Sequence, residues 1–504
     1  MVDDTPDNRS RCLCPNCPSY PHVCDRRSPA GTGTIEPGMR VLYCSTGASC
    51  CEICAKGCLC PSCPVYVDYE LTRIYWCDKV EVALSRVVMR KQRRYEDPGF
   101  YSSVVDIKQR ALTGESIVVS MGSQKRLPFN LDGLHLVPAQ VYRIPRNREE
   151  EVKTEVVIGP GAEKPFRIPM PVMVSGMSFG ATSRNVHLVI AQAAATLRFA
   201  FNSGEGGVLH EVLDAAADRM ICQYSTGRFG VTEDILRRAS AIEIRFGQGA
   251  YPGKGSFLPA PKMTPEVAAV RGLRIDEDAY SPAHHTDMTN PEQIRQKVAW
   301  LARLTGGVPV GAKIGCGAIE EDIGVLIGAG VDFIAIDGFG GGTGATDDYV
   351  RENVGIPLVA ALPRAARELT RLGVRERVSL VADGGIRTSA DAVRCLALGA
   401  DAVYIGTAAL IAINCEQYRI CHTGLCPTGV TTQDPTLMKQ LEVETGTSRL
   451  SNFMEVMKEE MRQLTRIVGK TDIRELKPDD LVAIDRDLAI VTGCRFVDGN
   501  RYTR

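Results

Sequence analysis

The stretches "VPVGAKIG" at 308–315, "VDFIAIDG" at 331–338, "VSLVADGG" at 378–385 and "DAVYIGTA" at 401–408 decide the fold. Each is a short apolar run bounded by glycine, and amphipathic segments such as 361–372 "ALPRAARELTRL" and 389–399 "SADAVRCLALG" lie between them. Strands that are apolar throughout have both faces buried, which happens when helices cover a parallel sheet on both sides. Working outward, "MPVMVSGM" at 170–177 and "FAFNSG" at 199–204 add two runs of the same kind, and 291–304 "PEQIRQKVAWLARL" adds a helix. The repetition predicts an α/β chain folded as a (β/α)8 TIM barrel rather than an open sheet. No G-x-G-x-x-G follows a first strand, which argues against a dinucleotide-binding Rossmann domain.

At 504 residues the chain exceeds one barrel, which takes about 250. Its pattern divides it into a small N-terminal cysteine-rich metal- or cluster-binding domain at 1–80, a connector at 81–167, the barrel at 168–434, and a C-terminal helical segment and tail at 435–504. Lys plus Arg number 59 against 60 for Asp plus Glu, so the charge balance predicts neither nucleic acid nor an anionic membrane as partner. No apolar run approaches the ~20 residues of a membrane span, and the N-terminus lacks the regions of a signal peptide; a cytoplasmic location is expected. Small molecules and other proteins are the expected partners, and a homo-oligomer stays open.

In a reducing compartment, 19 cysteines argue for ligation more than for cross-links, and 12 of them fall within the first 77 residues. A repeat, C-x-C-P-x-C-P-x-Y, occurs there twice, as "RCLCPNCPSY" at 11–20 and "GCLCPSCPVY" at 57–66. Cys12, Cys14, Cys17 and Cys58, Cys60, Cys63 are two candidate ligand triads, with fourth ligands available from Cys24, Cys44, Cys50, Cys51, Cys54 or Cys77. Iron–sulfur clusters and zinc are both open as their content. The basic segment 86–100 reads as a solvated helix face, with a docking surface for an acidic electron carrier as the alternative.

Barrel active sites lie at the C-terminal ends of the strands, and phosphate commonly binds after strands seven and eight. Here those loops are "ADGGIRTSAD" at 382–391 and "IGTAALIA" at 405–412. Gly384, Gly385, Gly406 and Thr407 are the candidate phosphate cradle, because glycine lets backbone N–H groups approach an anion; tight turns are the alternative. "DGFGGGTGA" at 337–345 is a third loop that could admit a flat ring. Lys313 ends a strand of small and apolar residues, where its charge would stabilise an anionic reduced flavin; a structural ion pair is the alternative, and Arg245 in "AIEIR" is a weaker case. Directly after the last strand, "CEQYRICHTGLCPTGVTTQ" at 415–433 brings in Cys415, Cys421 and Cys426. Three thiolates suit a 3Fe–4S cluster, or a 4Fe–4S cluster with an external ligand, and structural zinc is the alternative. The isolated Cys222, Cys316, Cys395 and Cys494 read as packed thiols.

From about 105 to 470 the chain resembles the synthase domain of glutamate synthases, especially the short archaeal-type form. The resemblance lies in "VSGMSFGATS" (174–183), "NSGEGG" (202–207), "STGRFGVTEDIL" (225–236), "IEIRFGQGAYPGKG" (242–255), "GGTGA" (341–345), "DGGIRTSADAVRCLALGADAVYIGTAAL" (383–410) and the cysteine stretch from 415. It implies an FMN-binding barrel, a 3Fe–4S cluster on Cys415, Cys421 and Cys426, and hydride delivery to the imine of ammonia and 2-oxoglutarate. It further implies that Ser175, Gly176, Met177 and Ser178 lie against the flavin ring, with Asn202, Gln223 and Lys313 near its polar edge. Gly341, Gly342, Thr343, Gly344 and Asp383 belong to the same implied cofactor site. Glu205 would stand between flavin and substrate tunnel, and Arg271 would grip the substrate carboxylate.

Two positions depart from the family pattern. Tyr251 stands where the family has lysine, and Phe257 where it has glutamine or histidine; both family residues help hold 2-oxoglutarate. Losing two charge-assisted or polar contacts worth ~1.5–3 kcal/mol each points to a substrate that is less acidic, larger or more aromatic. The family's glutamine-cleaving and nicotinamide-binding modules are not recognisable, so ammonia is expected from solution or an ammonia-supplying subunit. Electrons are expected from a ferredoxin-like or other donor protein. The cysteine-rich segment resembles small archaeal modules with paired C-x-C-P-x-C-P motifs, and is the expected electron inlet, carrying one or two 4Fe–4S clusters.

Overall fold

The computed structural model describes residues 2–14, 17, 43–46, 59–60, 63–69 and 71, and then every residue from 98 to 502 except 126, 129 and 276. Two compact units divide the chain: Met1–Ile117 with Leu425–Pro427, and Val118–Gly424 with Thr428–Arg504.

In the second unit, among the described residues, eight strands close into a barrel. They are β1 (Val172–Val174), β2 (Phe201–Asn202), β3 (Met220–Tyr224), β4 (Ala241–Arg245), β5 (Val310–Gly315), β6 (Phe333–Asp337), β7 (Ser379–Asp383) and β8 (Ala402–Ile405). Every neighbouring pair is parallel, and β8 pairs with β1 to complete the ring. The expected (β/α)8 barrel therefore forms, and its strands are buried along their length apart from the partly exposed Gly315. β3 was not among the runs read as strands, because "MICQY" mixes apolar with polar side chains; all five of its residues are nonetheless buried.

Helices Pro291–Thr305, Leu358–Arg371 and Ser389–Ala397 follow the expected amphipathic segments closely. The expected C-terminal helical segment contains one long helix, Val443–Ile467. Its buried stripe, Leu450, Met454, Met457 and Met461, recurs every three or four residues, as a helix packed on one side requires. It lies against helices Arg184–Leu197, Ser389–Ala397 and Thr407–Ile413, which follow β1, β7 and β8. Beyond it the chain forms more than a tail: Leu481–Ala483 pairs with Leu134–Leu136 and Arg495–Phe496 in a three-stranded sheet. Strands of two or three residues are too short to show alternation in sequence.

In the first unit, helices Pro6–Arg11 and Pro64–Asp68 are tied by Asn8 Nδ2, which donates to Tyr69 Oη at 3.1 Å. Cys12, Cys44 and Cys63 are buried there with Val2 and Val65. Cys24, Cys50, Cys51, Cys54, Cys58 and Cys77, and the basic residues 86–97, lie outside the described residues. No described helix is long and apolar enough to cross a membrane.

The helix after β7 starts on a capping box, in which the Thr388 hydroxyl accepts from Asp391 N–H and the Asp391 carboxylate accepts from Thr388 N–H. Asp391 is fully buried and also binds Arg387 and Arg394. Asp391→Ala should lower the unfolding free energy by about 1–2 kcal/mol, seen as an earlier urea midpoint at unchanged slope.

Candidate functional site

The C-terminal ends of the barrel strands open onto a cavity of about 640 Å³, within the ~300–1,000 Å³ common for small-molecule sites. Lys313 on β5 points into it from below. Its Nζ is 2.5 Å from Asp383 Oδ2 on β7, 3.3 Å from Asp337 Oδ2 on β6 and 3.4 Å from Ser175 Oγ just beyond β1. It also lies 5.4 Å from the Tyr404 ring on β8. Burial disfavours the ammonium, but the charges of Asp383, Asp337 and Glu243 outweigh it and raise the pKa. Lys313 therefore stays protonated. Asp337 moves the other way from an ordinary carboxylate: burial pushes its pKa up against the opposing pull of Lys313.

Most expected cofactor residues meet at this cavity. Ser175, Gly176, Met177 and Ser178 line it after β1, Gln223 from β3, and Gly341, Gly342, Thr343 and Gly344 from the loop after β6. Asp383, Gly384 and Gly385 complete the wall after β7, and Gly406 and Thr407 after β8. At Gly384, φ is +103° and an added Cβ would sit 2.6 Å from Gly338 N, so a side chain would both strain the backbone and collide. At Gly176 a Cβ would come within 2.6 Å of Asn202 Oδ1. At both positions the chain packs too closely against itself to admit a side chain, Gly384 against the backbone of Gly338 and Gly176 against Asn202.

Asn202 is buried but is not among the lining residues. Its Nδ2 donates to Glu243 Oε1 at 2.8 Å, as Gln223 Nε2 does at 3.0 Å, while Tyr404 Oη donates to Glu243 Oε2 at 3.1 Å. Glu243 is the residue that sequence reasoning missed. It is fully buried, and burial raises its pKa despite the charge of Lys313. The signal was present: a carboxylate inside the apolar strand "AIEIR" needs buried donors.

Glu205 and Arg271 also stand outside the lining set. Glu205 Oε2 is 2.9 Å from an Arg245 guanidinium nitrogen and accepts from Ser256 Oγ; both charged side chains are about 3% exposed. Burial alone would raise the Glu205 pKa, but Arg245 and the hydroxyl donors hold it below the usual range. Arg245 donates in addition to Tyr251 Oη at 2.9 Å. Arg271 grips a carbonyl of its own chain, with Nε 3.0 Å and a terminal nitrogen 2.7 Å from Phe179 O, and burial lowers its pKa to about 10.

The two departures fare differently. Tyr251 lines the cavity beside Gln248. Phe257 does not: it sits in a two-stranded antiparallel ladder, stacked on Tyr280 with ring centroids 4.9 Å apart. A further wall, Met121, Gly122 and Ser123, comes from the stretch read only as connector. Met121 N donates to Thr343 O at 2.7 Å, and Arg419 donates to Gly122 O.

Cys415 and Cys421 line the same cavity. Both are buried, Gln417 N donates to Cys415 Sγ at 3.4 Å, and the buried Lys262 donates to Cys421 O at 3.2 Å. Cys426 is buried within Leu425–Pro427. Among the described residues no three His, Cys, Asp or Glu side chains are already arranged as ligands about one point. Cys222, Cys316, Cys395 and Cys494 are buried, and burial raises each of their pKa values, as for unreactive packed thiols.

Comparison with known proteins defines the class first. The chain is 37% identical over 404 residues to an archaeal glutamate synthase (NADPH) of Methanocaldococcus jannaschii, covering 74% of this chain and 79% of that one. It is 37% identical over 396 residues to an archaeal-type glutamate synthase (NADPH) of Thermotoga neapolitana, covering 74% and 78%. A glutamate synthase large subunit-like protein of Rhizobium meliloti is 35% identical over 419 residues, 79% of this chain and 93% of its own. Such relatives make this barrel an oxidoreductase. The family profile described as the conserved region in glutamate synthase matches residues 104–471, and the chain belongs to that family. A second profile, described as a protein of unknown function (DUF2769), matches residues 12–78.

His285 braces this site from behind. Its Nδ1 accepts from Arg228 at 2.6 Å, so Nε2 carries the hydrogen donated to Arg245 O at 3.0 Å. Burial and the Arg228 charge lower its pKa to about 4, against 6.5 for an ordinary histidine. The unfolded chain therefore takes up a proton that the folded chain refuses, and stability present above pH 6.5 is lost as pH falls toward 4. The loss should reach about 3 kcal/mol from this group. Thermal melts at pH 7 and pH 5 should show the drop, and His285→Phe should reduce it, leaving the share of the buried His187, whose pKa burial likewise lowers to about 4.

Proposed function

We propose that this chain is an FMN- and iron–sulfur-dependent oxidoreductase that reductively aminates a 2-oxo acid, with 2-oxoglutarate and ammonia giving glutamate. The single observation that supports this most directly is the caged, protonated Lys313 beneath a cavity walled by glycine loops and by Cys415 and Cys421. The residues present fit a flavin mononucleotide: a cavity of about 640 Å³ lined by glycine loops, a fixed cation beneath it, and the loops after β7 and β8 on its wall. Bound FMN would supply a hydride. Ser175–Ser178 and Gly341–Gly344 would hold its ring, Gly384, Gly385, Gly406 and Thr407 its phosphate, and Lys313 would keep positive charge at its carbonyl edge.

Cys415, Cys421 and Cys426 would hold a 3Fe–4S cluster supplied with low-potential electrons by a ferredoxin-like donor. Converting the 2-oxo acid and ammonium to the amino acid and water consumes two electrons and two protons, so two single-electron deliveries serve each turnover. Glu205 would stand between flavin and substrate, and Arg271 would serve as the carboxylate grip only on releasing Phe179 O, which it holds here.

Tyr251 favours a second reading, in which the cofactors stay and the substrate differs, or the chain serves as an electron-transfer subunit. Arg245 is already engaged by Glu205 and Tyr251, which leaves little positive charge for a second carboxylate.

Assay of ammonia plus 2-oxoglutarate with reduced ferredoxin or a viologen dye should yield glutamate. Protein that keeps its flavin and makes none would remove the first reading and leave the second. Tyr251→Lys should lower KM for 2-oxoglutarate about ten- to a hundredfold, the size of one restored charge-assisted hydrogen bond. Cys421→Ser should lose cluster iron, measured by elemental analysis, while the flavin absorbance of the purified protein is kept.

A further inference from the structure

Each cysteine repeat, read alone, suggests its own centre. Their described residues instead face each other. The Cys14 thiol is within hydrogen-bonding reach of Cys12 in its own repeat and of Cys60 in the other, and Cys63 is within reach of Cys12. Two backbone amides point at the same sulfurs: Leu13 N–H at Cys63 Sγ, 3.5 Å, and Cys14 N–H at Cys12 Sγ, 3.4 Å. Matching turns present the thiols, with Cys17 N donating to Cys14 O at 2.9 Å and Cys63 N to Cys60 O at 3.0 Å. The two flanking helices are joined by the Asn8–Tyr69 hydrogen bond and the Arg11–Asp68 ion pair. Among the described residues the apolar cluster of this segment is small, and so small a core gains from a staple.

We infer that the two repeats build one shared site, in which Cys12, Cys14, Cys60 and Cys63 bind a single thiophilic divalent ion, zinc or ferrous iron. Close sulfur-to-sulfur approach favours one ion. Four ligands at ~2.3 Å around a tetrahedral metal stand roughly 3.8 Å apart, whereas a four-iron cluster holds each thiolate on a separate iron. Among the described residues no three ligands already stand about one point, so the ion would draw the four thiols together on binding. Binding exchanges four thiol protons for four metal–sulfur bonds, and the amides of Leu13 and Cys14 then donate to negatively charged sulfur.

The test uses the full chain purified without oxygen, with iron, zinc and acid-labile sulfide counted per chain. Cys12→Ser and Cys63→Ser, one from each repeat, should each lose the same single equivalent of zinc or iron with no loss of sulfide, and the double variant should lose no more. Losses that add in the double variant mean two centres and overturn the proposal, as does loss of four irons with sulfide. Should the variants fold poorly, alkylation of the parent protein decides: Cys12, Cys14, Cys60 and Cys63 should be protected together when metal is bound and react together once it is stripped. Equal reactivity in both forms overturns the site. Flavin content and the iron lost in Cys421→Ser are independent of either outcome.

Discussion

A buried ammonium is tolerable only with negative charge at hand, and Lys313 takes it from across the barrel. Asp337 and Asp383 arrive from the next two strands, Glu243 from the preceding one, and the Ser175 hydroxyl from beyond the first. Removing one partner from such a cage leaves an uncompensated buried charge, typically several kcal/mol. The cage thus ties strands far apart in sequence to one point, and the glycine loops above it leave that point reachable.

Alternation along β4 puts a second polar system directly beside the first. Glu243 and Arg245 are two residues apart and so share the inward face. Glu243 collects Asn202, Gln223 and Tyr404 below the cavity floor, while Arg245 joins Glu205 and Tyr251 nearer the mouth. The inside of this barrel is therefore a layered set of buried charges, in which Glu205 Oε1, Arg245 Nε and Asp337 Oδ1 are left without a hydrogen-bond partner among the described residues.

Much of this was legible in the sequence because it rests on local pattern. Glycine-closed apolar runs marked six of the strands, and a lysine at the end of one marked the cage. What stayed hidden was polar and long-range. β3 escaped because Gln223 looks like a surface residue until its acceptor, 20 positions away, is known. Phe257 was read as facing a ligand, yet it stacks on Tyr280, a pairing that only the β-ladder between them creates. Likewise Met121 gives no sign in sequence that its backbone will be bound by the loop after β6.

Helix Val443–Ile467 lies over the helices that follow β1, β7 and β8, and the β8–β1 ladder is the seam between the first and last strands of the ring. Nearly all of the barrel must have left the ribosome before that seam has both of its edges, and its outer brace emerges later still. Until then the first strand lacks its last partner, so the ring that carries the site closes only when synthesis of the barrel is nearly complete.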